Sequence, residues 1–514
     1  MKFNYIVKHT LPPLSWLAIV SNGREVIDVY TGNAVETFDD FFVSGAWDGD
    51  FEIGDFDKCN FACCTGARLQ DSRISFLTPH HLNACIFSIK MSDNILVLSN
   101  SVSFLLAITG DRFDPDYYEY DSDFCIEFLG KRNMKPPFFS NTKLLNKSIL
   151  NIYSYAKVSV DINLSVTIER RHTSFRFNNF TDYRQALSDT LHKLKNNVDS
   201  RLRKCNYGMI ATISKGYDAP TCATLSREIG CEEVFTFNRP DHYKNDCGTE
   251  IAKKMGFKVI HECDGDFVKS NEEYIEAADF ASGDSGGMLT FEGHKDLFKN
   301  KLLFCGFQGD EFWGIDHLPY ENLQYPIVIS NSNSYEVFLE TNTILIMIPS
   351  IGAEHAKQLY NISLSDEMKP WRMGVKYDRP ICRRIVEEAG ISRDMFGQLK
   401  VGSGYCLHFD TFKSMKKKLS PLSYLSLREY SRKLKQNPLR KIRAYSLFFL
   451  YNIPVYLPYL LSKFHISFSM KPWVNHHLSN PLSTTYIMWG VDHMTKRYKD
   501  AFSEDKSFEQ INDK

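Results

Sequence analysis

The sequence predicts an α/β protein in which a β-rich segment precedes a parallel sheet and a helical segment follows it. Short apolar runs and a strict apolar alternation from 158 to 168 predict strands before residue 172. Apolar runs that alternate with helical patterns between 173 and 410 predict parallel strands joined by helices. From about residue 320 onward helical patterns dominate, and the last hundred residues become basic and aromatic.

Composition restricts the class of protein. A chain of 514 residues with 43% hydrophobic content is long enough for two or three domains, which we place at 1–172, 173–410 and 411–514. The net charge of −1 argues against a nucleic-acid-binding surface. Thirteen cysteines without regular spacing, together with the absence of a recognisable secretory signal, predict reduced thiols and a cytoplasmic location.

The most informative segment is a polar turn between a predicted strand and a predicted helix. An apolar run at 209–213 predicts the strand, and apolar residues at 222, 225 and 229 predict the helix. The turn reads Ser214, Lys215, Gly216, Tyr217 and Asp218. Its backbone amides and the positive end of the helix could bind phosphate. Ser214 adds a hydroxyl donor, Lys215 a positive charge, and Asp218 a carboxylate that could hold Mg²⁺. The alternative interpretation is an ordinary strand–helix turn capped by an aspartate.

Two further segments extend this pattern. A strand at 234–238, a helix at 246–256 and a strand at 257–262 follow in order, and a fourth strand at 302–305 leads into a second loop. That loop contains Gly306, Phe307, Gln308, Gly309, Asp310 and Glu311. Two carboxylate-bearing loops, each directly after a predicted strand, favour a metal–pyrophosphate site over coincidence.

These motifs resemble those of a known family. The turn, spelled SKGYDA, resembles the SGGxDS loop of N-type ATP pyrophosphatases, and it departs from that loop at Lys215 and Ala219. The second loop resembles the GxGxDE(L/F)FG loop of asparagine synthetases. The synthetase stretch D–E–A–x–x–x–G–x–x–x–H is matched by Asp246, Ala252, Gly256 and His261. The chain is most similar to asparagine-synthase-related proteins, and the resemblance implies a PP-loop domain of the adenine nucleotide α-hydrolase-like type.

The resemblance also implies site residues. Mg²⁺ would be held by Asp218 and Asp310. Lys400 ends a segment that resembles the synthetase stretch P–R–x–x–F–G–x–x–K, whose lysine reaches the acyl-adenylate and the leaving pyrophosphate, so Lys400 and Asp310 are the candidate catalytic residues. A solvated lysine in a surface loop is the alternative for Lys400. The expected ATP contacts are Ser214, Lys215, Gly216, Tyr217, Asp218, Phe237, Gly306 and Gly309.

The first segment resembles a degenerate Ntn glutaminase domain. Glutamine-dependent synthetases have a cysteine directly after the initiator methionine, and Lys2 stands at that position here. We therefore expect no glutaminase activity, and a separate glutaminase could supply ammonia. Residues 98–107 resemble the strand-to-helix element of that domain, although an unrelated β-sandwich is a rival interpretation.

The predicted function is an ATP-dependent amide-forming ligase that adenylates a small-molecule or saccharide carboxylate and transfers ammonia or an amine. The resemblance implies a role in cell-surface polysaccharide or secondary-metabolite biosynthesis. Phe307 replaces a family glutamate, so we expect a substrate other than aspartate. Two alternatives stay open: a decayed nucleotide-binding pseudoenzyme or scaffold, favoured by Lys215, Ala219 and Phe307, and an intramolecular lactam synthetase.

A late segment raises the question of membrane contact. Residues 445–461 are rich in Phe, Leu and Tyr, but Pro454 and Pro458 interrupt them. A spanning helix needs about 20 apolar residues, so no transmembrane segment is expected. One interpretation is a broken helix packed on the domain. The other is a peripheral contact of residues 440–463 with anionic lipid, held by the flanking basic side chains.

Overall fold

The computed structural model describes most of the chain. The described residues are 1–70, 72–81, 83–124, 138–238, 245–264, 276–283, 289–315, 335–398, 407, 410–462 and 480–502. Mixed α/β structure with a β-rich N-terminal region confirms the predicted fold class at this level.

The N-terminal region contains two sheets packed face to face. Its strands are β1 (Lys2–Val7), β2 (Trp16–Ser21), β3 (Val26–Thr31), β4 (Glu36–Thr37), β5 (Phe41–Trp47), β6 (Ala62–Gln70), β7 (Arg73–Leu77), β8 (Ile86–Ser92), β9 (Ile95–Ser99), β10 (Phe138–Lys143), β11 (Ile149–Ser154), β12 (Ala156–Asp161) and β13 (Val166–Arg170). The seven-stranded sheet has the order β1-β3-β2-β9-β8-β11-β10, and the six-stranded sheet has the order β13-β12-β7-β6-β5-β4. A shared apolar core that includes Trp16, Phe42 and Phe76 fills the space between them.

Helices cover the outer face of the seven-stranded sheet. Helices α1 (Val102–Thr109) and α2 (Tyr120–Phe124) belong to this region, and Ser101 caps α1 by accepting from the amide of Phe104. The predicted strand-to-helix element at 98–107 is therefore present as β9 and α1. The alternation at 158–168 forms a hairpin, β12 and β13. The glutaminase-like interpretation of the region stays a prediction.

A five-stranded parallel sheet follows. The helix α3 (Phe180–Val198) leads into it, and the sheet and its connections comprise β14 (Gly208–Thr212), α4 (Asp218–Glu228), β15 (Glu233–Phe237), α5 (Thr249–Lys254), β16 (Val259–Cys263), α6 (Ala277–Ala281), α7 (Leu289–Glu292), β17 (Lys301–Cys305), α8 (Gly309–Trp313), α9 (Tyr335–Thr341) and β18 (Ile344–Met347). The strand order is β16-β15-β14-β17-β18, and every neighbouring pair is parallel. Each of the four strands predicted from the sequence is present.

Both faces of this sheet are buried. Ile210, Phe235 and Leu303 point into one apolar core, whereas Ala211 and Phe304 point into the other. Successive side chains of a strand alternate between faces, so a strand buried on both sides appears in the sequence as a continuous apolar run. This is why the run at 209–213 is apolar at every position except Thr212.

Helices make up the rest of the described chain. They are α10 (Ala356–Leu364), α11 (Pro380–Glu388), α12 (Phe412–Met415), α13 (Pro421–Lys433), α14 (Pro438–Ser462) and α15 (Pro481–Asp500), with short 3-10 turns at Lys295–Leu297, Ile348–Ser350, Ala353–His355 and Asp366–Trp371. The helix α15 is buried along most of its length against α1 and α6. Among the described residues, no helix is both long enough and apolar enough to cross a bilayer.

Three details differ from the sequence predictions. For α3, the sequence pattern predicts Thr181 as the N-cap and a buried apolar stripe that ends at Leu202. In the structure Asn179 is the N-cap, and Leu202 is exposed beyond the end of the helix. The strand β18 was not anticipated. The segment around Pro454 and Pro458 is one continuous helix, not a broken one. A proline removes one helical hydrogen bond, and the carbonyl it frees can be hydrated on a surface helix.

Candidate functional site

The strand order places a crevice at one edge of the parallel sheet. From β14 the chain proceeds outward through β15 and β16, and then returns to the other side of β14 for β17 and β18. Ligands of open α/β sheets bind beyond the carboxyl ends of the strands where the order reverses in this way. The loops after β14 and β17 flank that point, and they are the two carboxylate-bearing loops of the sequence prediction.

The first loop is a tight turn fixed by hydrogen bonds. Ser214 forms an isolated β-bridge with Cys247, and its hydroxyl accepts from the amide of Gly216 at 3.1 Å. The amide of Lys215 donates to the Asp246 carboxylate at 3.0 Å, and its carbonyl accepts from the amide of Gly397 at 2.7 Å. The side chain of Lys215 is exposed. The turn is thus held between the segments at 246 and 397.

Asp246 is a site residue that the sequence indicated only through the resemblance. Burial raises the pKa of this carboxyl to about 6, and hydrogen bonds from the Lys215 amide and the Ser214 side chain partly offset the effect. Its role in the described structure is to accept donors of the turn. His261, matched by the same resemblance, lies elsewhere: its Nε2 is 2.7 Å from the carboxylate of Glu233, the first residue of β15. It therefore lies in the middle of β16, opposite Phe235 of β15, and not at the carboxyl end of the sheet.

The two predicted loops meet at Asp218. Asp218 is the first residue of α4, and its side chain packs against Gly306 and Gly309 of the second loop. A Cβ atom at Gly306 would lie 2.6 Å from the Asp218 Cβ, and one at Gly309 would lie 2.4 Å from Oδ1. Both contacts are too close for any side chain, so glycine is required at each position for the loops to approach. Asp310 follows directly, in the first turn of α8.

A residue that the sequence did not single out contacts Asp218. The Arg379 guanidinium, 3% exposed, forms an ion pair with the Asp218 carboxylate, which is 24% exposed. Burial alone would lower the pKa of Arg379, but the charge of Asp218 and the hydrogen bond to it, together with smaller contributions from Tyr377 and Cys382, raise the pKa. Arg379 precedes α11 and lies 5.2 Å from the ring centroid of Tyr377. A buried cation beside a carboxylate at a phosphate-type turn is suited to binding an anion.

Tyr217 has a structural contact. Its ring is fully buried, and the Arg383 guanidinium donates to its hydroxyl. Burial raises the pKa of this tyrosine. Any contact of Tyr217 with a nucleotide would therefore come from its backbone.

Aromatic rings line the crevice on the side of β15 and β17. Phe237 ends β15, and its ring centroid lies 5.5 Å from that of Phe291 in an edge-to-face arrangement. Phe307, in the second loop, lies 6.0 Å from Phe291. Phe307 stands where the resembling family has a glutamate, so the described structure has an apolar surface at that position. Phe291 carried no recognisable signal in the sequence.

The remaining predicted residue, Lys400, lies outside the described residues, so its position is not assigned. The oxygen donors that the predicted magnesium site requires are present among the described residues, and the Asp218 carboxylate is paired with Arg379. Mg²⁺ in nucleotide sites uses one or two carboxylates together with phosphate oxygens and water, and Asp218 and Asp310 are carboxylates on adjoining loops. No group of three or more His, Cys, Asp or Glu side chains in the described parts of the chain could hold a metal by itself.

Comparisons with known proteins identify no family or relative that shares this geometry. Neither the protein-family models nor the curated proteins contain a match to the chain. Function must therefore be inferred from the site itself.

Proposed function

We propose that the protein is an ATP-dependent carbon–nitrogen ligase that forms AMP and pyrophosphate. The observation that supports this most directly is the meeting of the two loops, because Asp218 of the first packs against both glycines of the second. A phosphate-type turn and a second carboxylate loop at one switch point provide the groups needed to hold a nucleotide triphosphate and its metal ion.

In this proposal the described residues bind and orient the nucleotide. The N-terminus of α4 would face the phosphates. The Lys215 and Gly216 amides now donate to Asp246 and Ser214, so they would bind phosphate only by exchanging these acceptors. Asp218 and Asp310 would hold Mg²⁺, and the ion would neutralise phosphate charge there. Arg379 moves its charge from Asp218 to a phosphate oxygen. The rings of Phe237 and Phe291 form the wall against which the adenine packs.

The reaction would proceed in two steps. A substrate carboxylate oxygen attacks the α-phosphorus, the bond to the β-phosphate oxygen breaks, and pyrophosphate leaves with a mixed anhydride remaining. Ammonia or an amine then attacks the carbonyl carbon, AMP leaves, and the nitrogen loses a proton. Lys400 would stabilise the charge on the departing pyrophosphate, which is the part of the reaction where electrostatic stabilisation contributes most.

The acid substrate should be less polar than aspartate where it meets Phe307. The half-buried Phe307 packs against the Phe291 ring, and a phenyl ring cannot bind an ammonium or amide group as a glutamate does. Carboxylates with an apolar or sugar-ring surface at this position fit the crevice better. The nitrogen donor would be ammonia, an amine or the product of a separate glutaminase.

The deciding experiment measures pyrophosphate release from ATP with a panel of carboxylates that includes uronic acids and nucleotide sugars. We expect release with at least one acid, dependence on Mg²⁺, and a loss of about 10²–10³-fold in Lys400→Ala and in Asp310→Asn. ATP affinity should change much less in Lys400→Ala than turnover does. An unchanged turnover in Lys400→Ala would assign that lysine to the surface.

A second candidate is a nucleotide-binding pseudoenzyme. The ion pair between Arg379 and Asp218 favours it, because the arginine occupies the carboxylate that the metal would use. This candidate predicts that the protein binds ATP without releasing pyrophosphate for any acid. Persistence of both Asp218 and Asp310 favours the ligase.

A further inference from the structure

An exposed apolar face runs along α14. Leu439 is 78% exposed, and Ile442 and Phe449 are each 63% exposed. The exposed large apolar side chains of α14 are Leu439, Ile442, Tyr445, Phe449, Leu450, Tyr451 and Leu457. All of them except Tyr451 are called the α14 face below. Soluble surfaces carry isolated apolar side chains, but a contiguous group of this kind marks an interaction site.

These side chains share one side of the helix. A helical turn contains about 3.6 residues, and on such a helix these positions fall within an arc of roughly 140°. Phe448, Asn452 and Pro454 lie outside this arc and are buried. The helix therefore packs on the protein at these residues and directs the α14 face outward.

The charges that α14 itself carries are all positive, and the Asp116 carboxylate of the N-terminal region accepts from the Asn437 amide just before the helix. Arg440, Lys441 and Arg443 lie among its first residues, and further basic side chains precede it in and after α13: Arg428, Arg432, Lys433 and Lys435. No aspartate or glutamate lies between Glu429 and Asp492 in the sequence. Like charges would oppose the pairing of two copies through this face, whereas an anionic surface would attract it.

We propose that α14 binds the surface of an anionic lipid bilayer, with the helix axis parallel to the membrane plane. The apolar side chains of the α14 face enter the boundary between headgroups and acyl chains, and the arginine and lysine side chains reach the phosphates. The length and polar flanks of α14 suit a surface helix, and no described helix could span the bilayer. This proposal stands independently of the ligase function.

The test is sedimentation of the full chain with lipid vesicles. Vesicles of phosphatidylcholine alone are compared with vesicles containing about 30% phosphatidylserine, at about 0.1 M and 0.5 M salt. We expect binding to the anionic vesicles that weakens at high salt, and little binding to the neutral ones. Failure to bind the anionic vesicles would overturn the proposal.

Two kinds of variant separate the apolar and charged contributions. Ile442→Glu with Phe449→Glu should lower binding at least about tenfold, since a buried apolar side chain contributes more than 1.4 kcal/mol. Replacing Arg440, Lys441 and Arg443 with alanine should lower binding by about a hundredfold, because each basic residue near an anionic surface contributes about 1 kcal/mol. Binding equal to that of the wild type in either variant would contradict the proposal.

Matched controls use exposed residues elsewhere. Ile53→Glu and Leu202→Glu place the same charge at apolar positions that are 67% and 59% exposed, and Arg24→Ala removes an exposed cation. All three should bind vesicles as the wild type does. Sedimentation equilibrium without lipid tests the rival occupant, since a dimer that Phe449→Glu dissociates would assign the face to a second copy and overturn the lipid proposal.

Discussion

Two buried arginines have different kinds of hydrogen-bond partner. One lies in the N-terminal region and the other at the edge of the parallel sheet. Arg171, 4% exposed, follows β13 and donates to the backbone carbonyls of Thr78 and Phe56. Arg379 is equally buried, but it forms an ion pair with the side chain of Asp218. Backbone carbonyls cannot leave an arginine unless the chain segments that carry them move, whereas a carboxylate can exchange one cation for another.

This difference separates structural from functional charge. Arg171 joins the six-stranded sheet to the segment before it and has donors directed at fixed acceptors. Arg379 joins two loops at the point where a ligand of an α/β sheet would bind. We therefore expect substitutions at the first arginine to change stability, and substitutions at the second to change activity.

The largest expected effect is on stability, in Arg171→Met. Each hydrogen bond from a charged donor contributes about 1.5–3 kcal/mol, so losing two of them should lower the free energy of unfolding by roughly 3 kcal/mol or more. Urea unfolding measures this change. Arg24→Met, which removes a surface ion pair with Asp28, should cost less than about 1 kcal/mol. If the two variants were equally stable, the structural role of Arg171 would be refuted.

The next effect is on turnover, in Arg379→Met. If Arg379 binds a phosphate oxygen, pyrophosphate release should fall about 10²–10³-fold, and Arg379→Lys should retain part of the activity. Stability should change less than in Arg171→Met, because the Asp218 carboxylate is partly exposed and can be hydrated. A rise in pyrophosphate release in Arg379→Met would show instead that the arginine blocks the metal position.

The sequence contained the local parts of this site but not its pairing. A continuous apolar run that ends at a polar turn predicted β14 and α4, because both signals lie within twenty residues. The contact of Arg379 with Asp218 joins residues 161 positions apart, and no local pattern encodes it. The carboxylate loops could be found as motifs, whereas the buried counter-ion could not.

Errors at individual elements have similar causes. The strand β18 is a short apolar run among helices, and such a run does not distinguish a buried strand from a buried helical turn. Its identity depends on pairing with β17, more than forty residues earlier. Asn179 and Thr181 are both good N-cap residues, so composition alone could not choose between them. Asn179 is selected by its extended backbone and by its bond to the Asp182 amide.

A third, smaller effect is expected on the pH dependence of stability, and it comes from the carboxylate of Glu336, which is buried between the N-terminal region and α15. Glu336 of α9 accepts from the Ser101 hydroxyl of the N-terminal region and from the Tyr498 hydroxyl of α15. Burial raises its pKa from 4.5 to about 7, with Glu340 adding to the shift and Arg497 opposing it. Between these pH values the folded protein keeps a proton that the unfolded chain loses, so stability falls as pH rises through this window.

Glu336→Gln should remove that dependence. Relative to the variant, the wild type should lose roughly 2 kcal/mol of unfolding free energy between pH 5 and pH 8, as measured in urea. Glu429→Gln, at an exposed pair with Lys433, serves as the control and should leave the pH dependence unchanged. Parallel curves for wild type and Glu336→Gln would mean that Glu336 is not protonated in the folded protein near neutral pH.

The smallest expected effect concerns Asp246. Like Arg171, it forms hydrogen bonds with backbone groups, but it lies at the edge of the parallel sheet beside the loops that Arg379 joins. Its pKa is raised from 3.8 to about 6 by burial, so its contribution to stability is complete below pH 3.8 and is lost as pH rises through 6. Asp246→Asn should therefore be more stable than wild type above pH 6, by about 1 kcal/mol or less because the residue is partly exposed. The two proteins should unfold alike near pH 4.

Asp246→Ala should lose stability at both pH values, because the Lys215 amide then keeps only the longer bond, 3.2 Å, to the backbone carbonyl at 246. If Asp246→Ala matched Asp246→Asn throughout, the turn would be held by its backbone alone, and the carboxylate would be free for a role at the nucleotide.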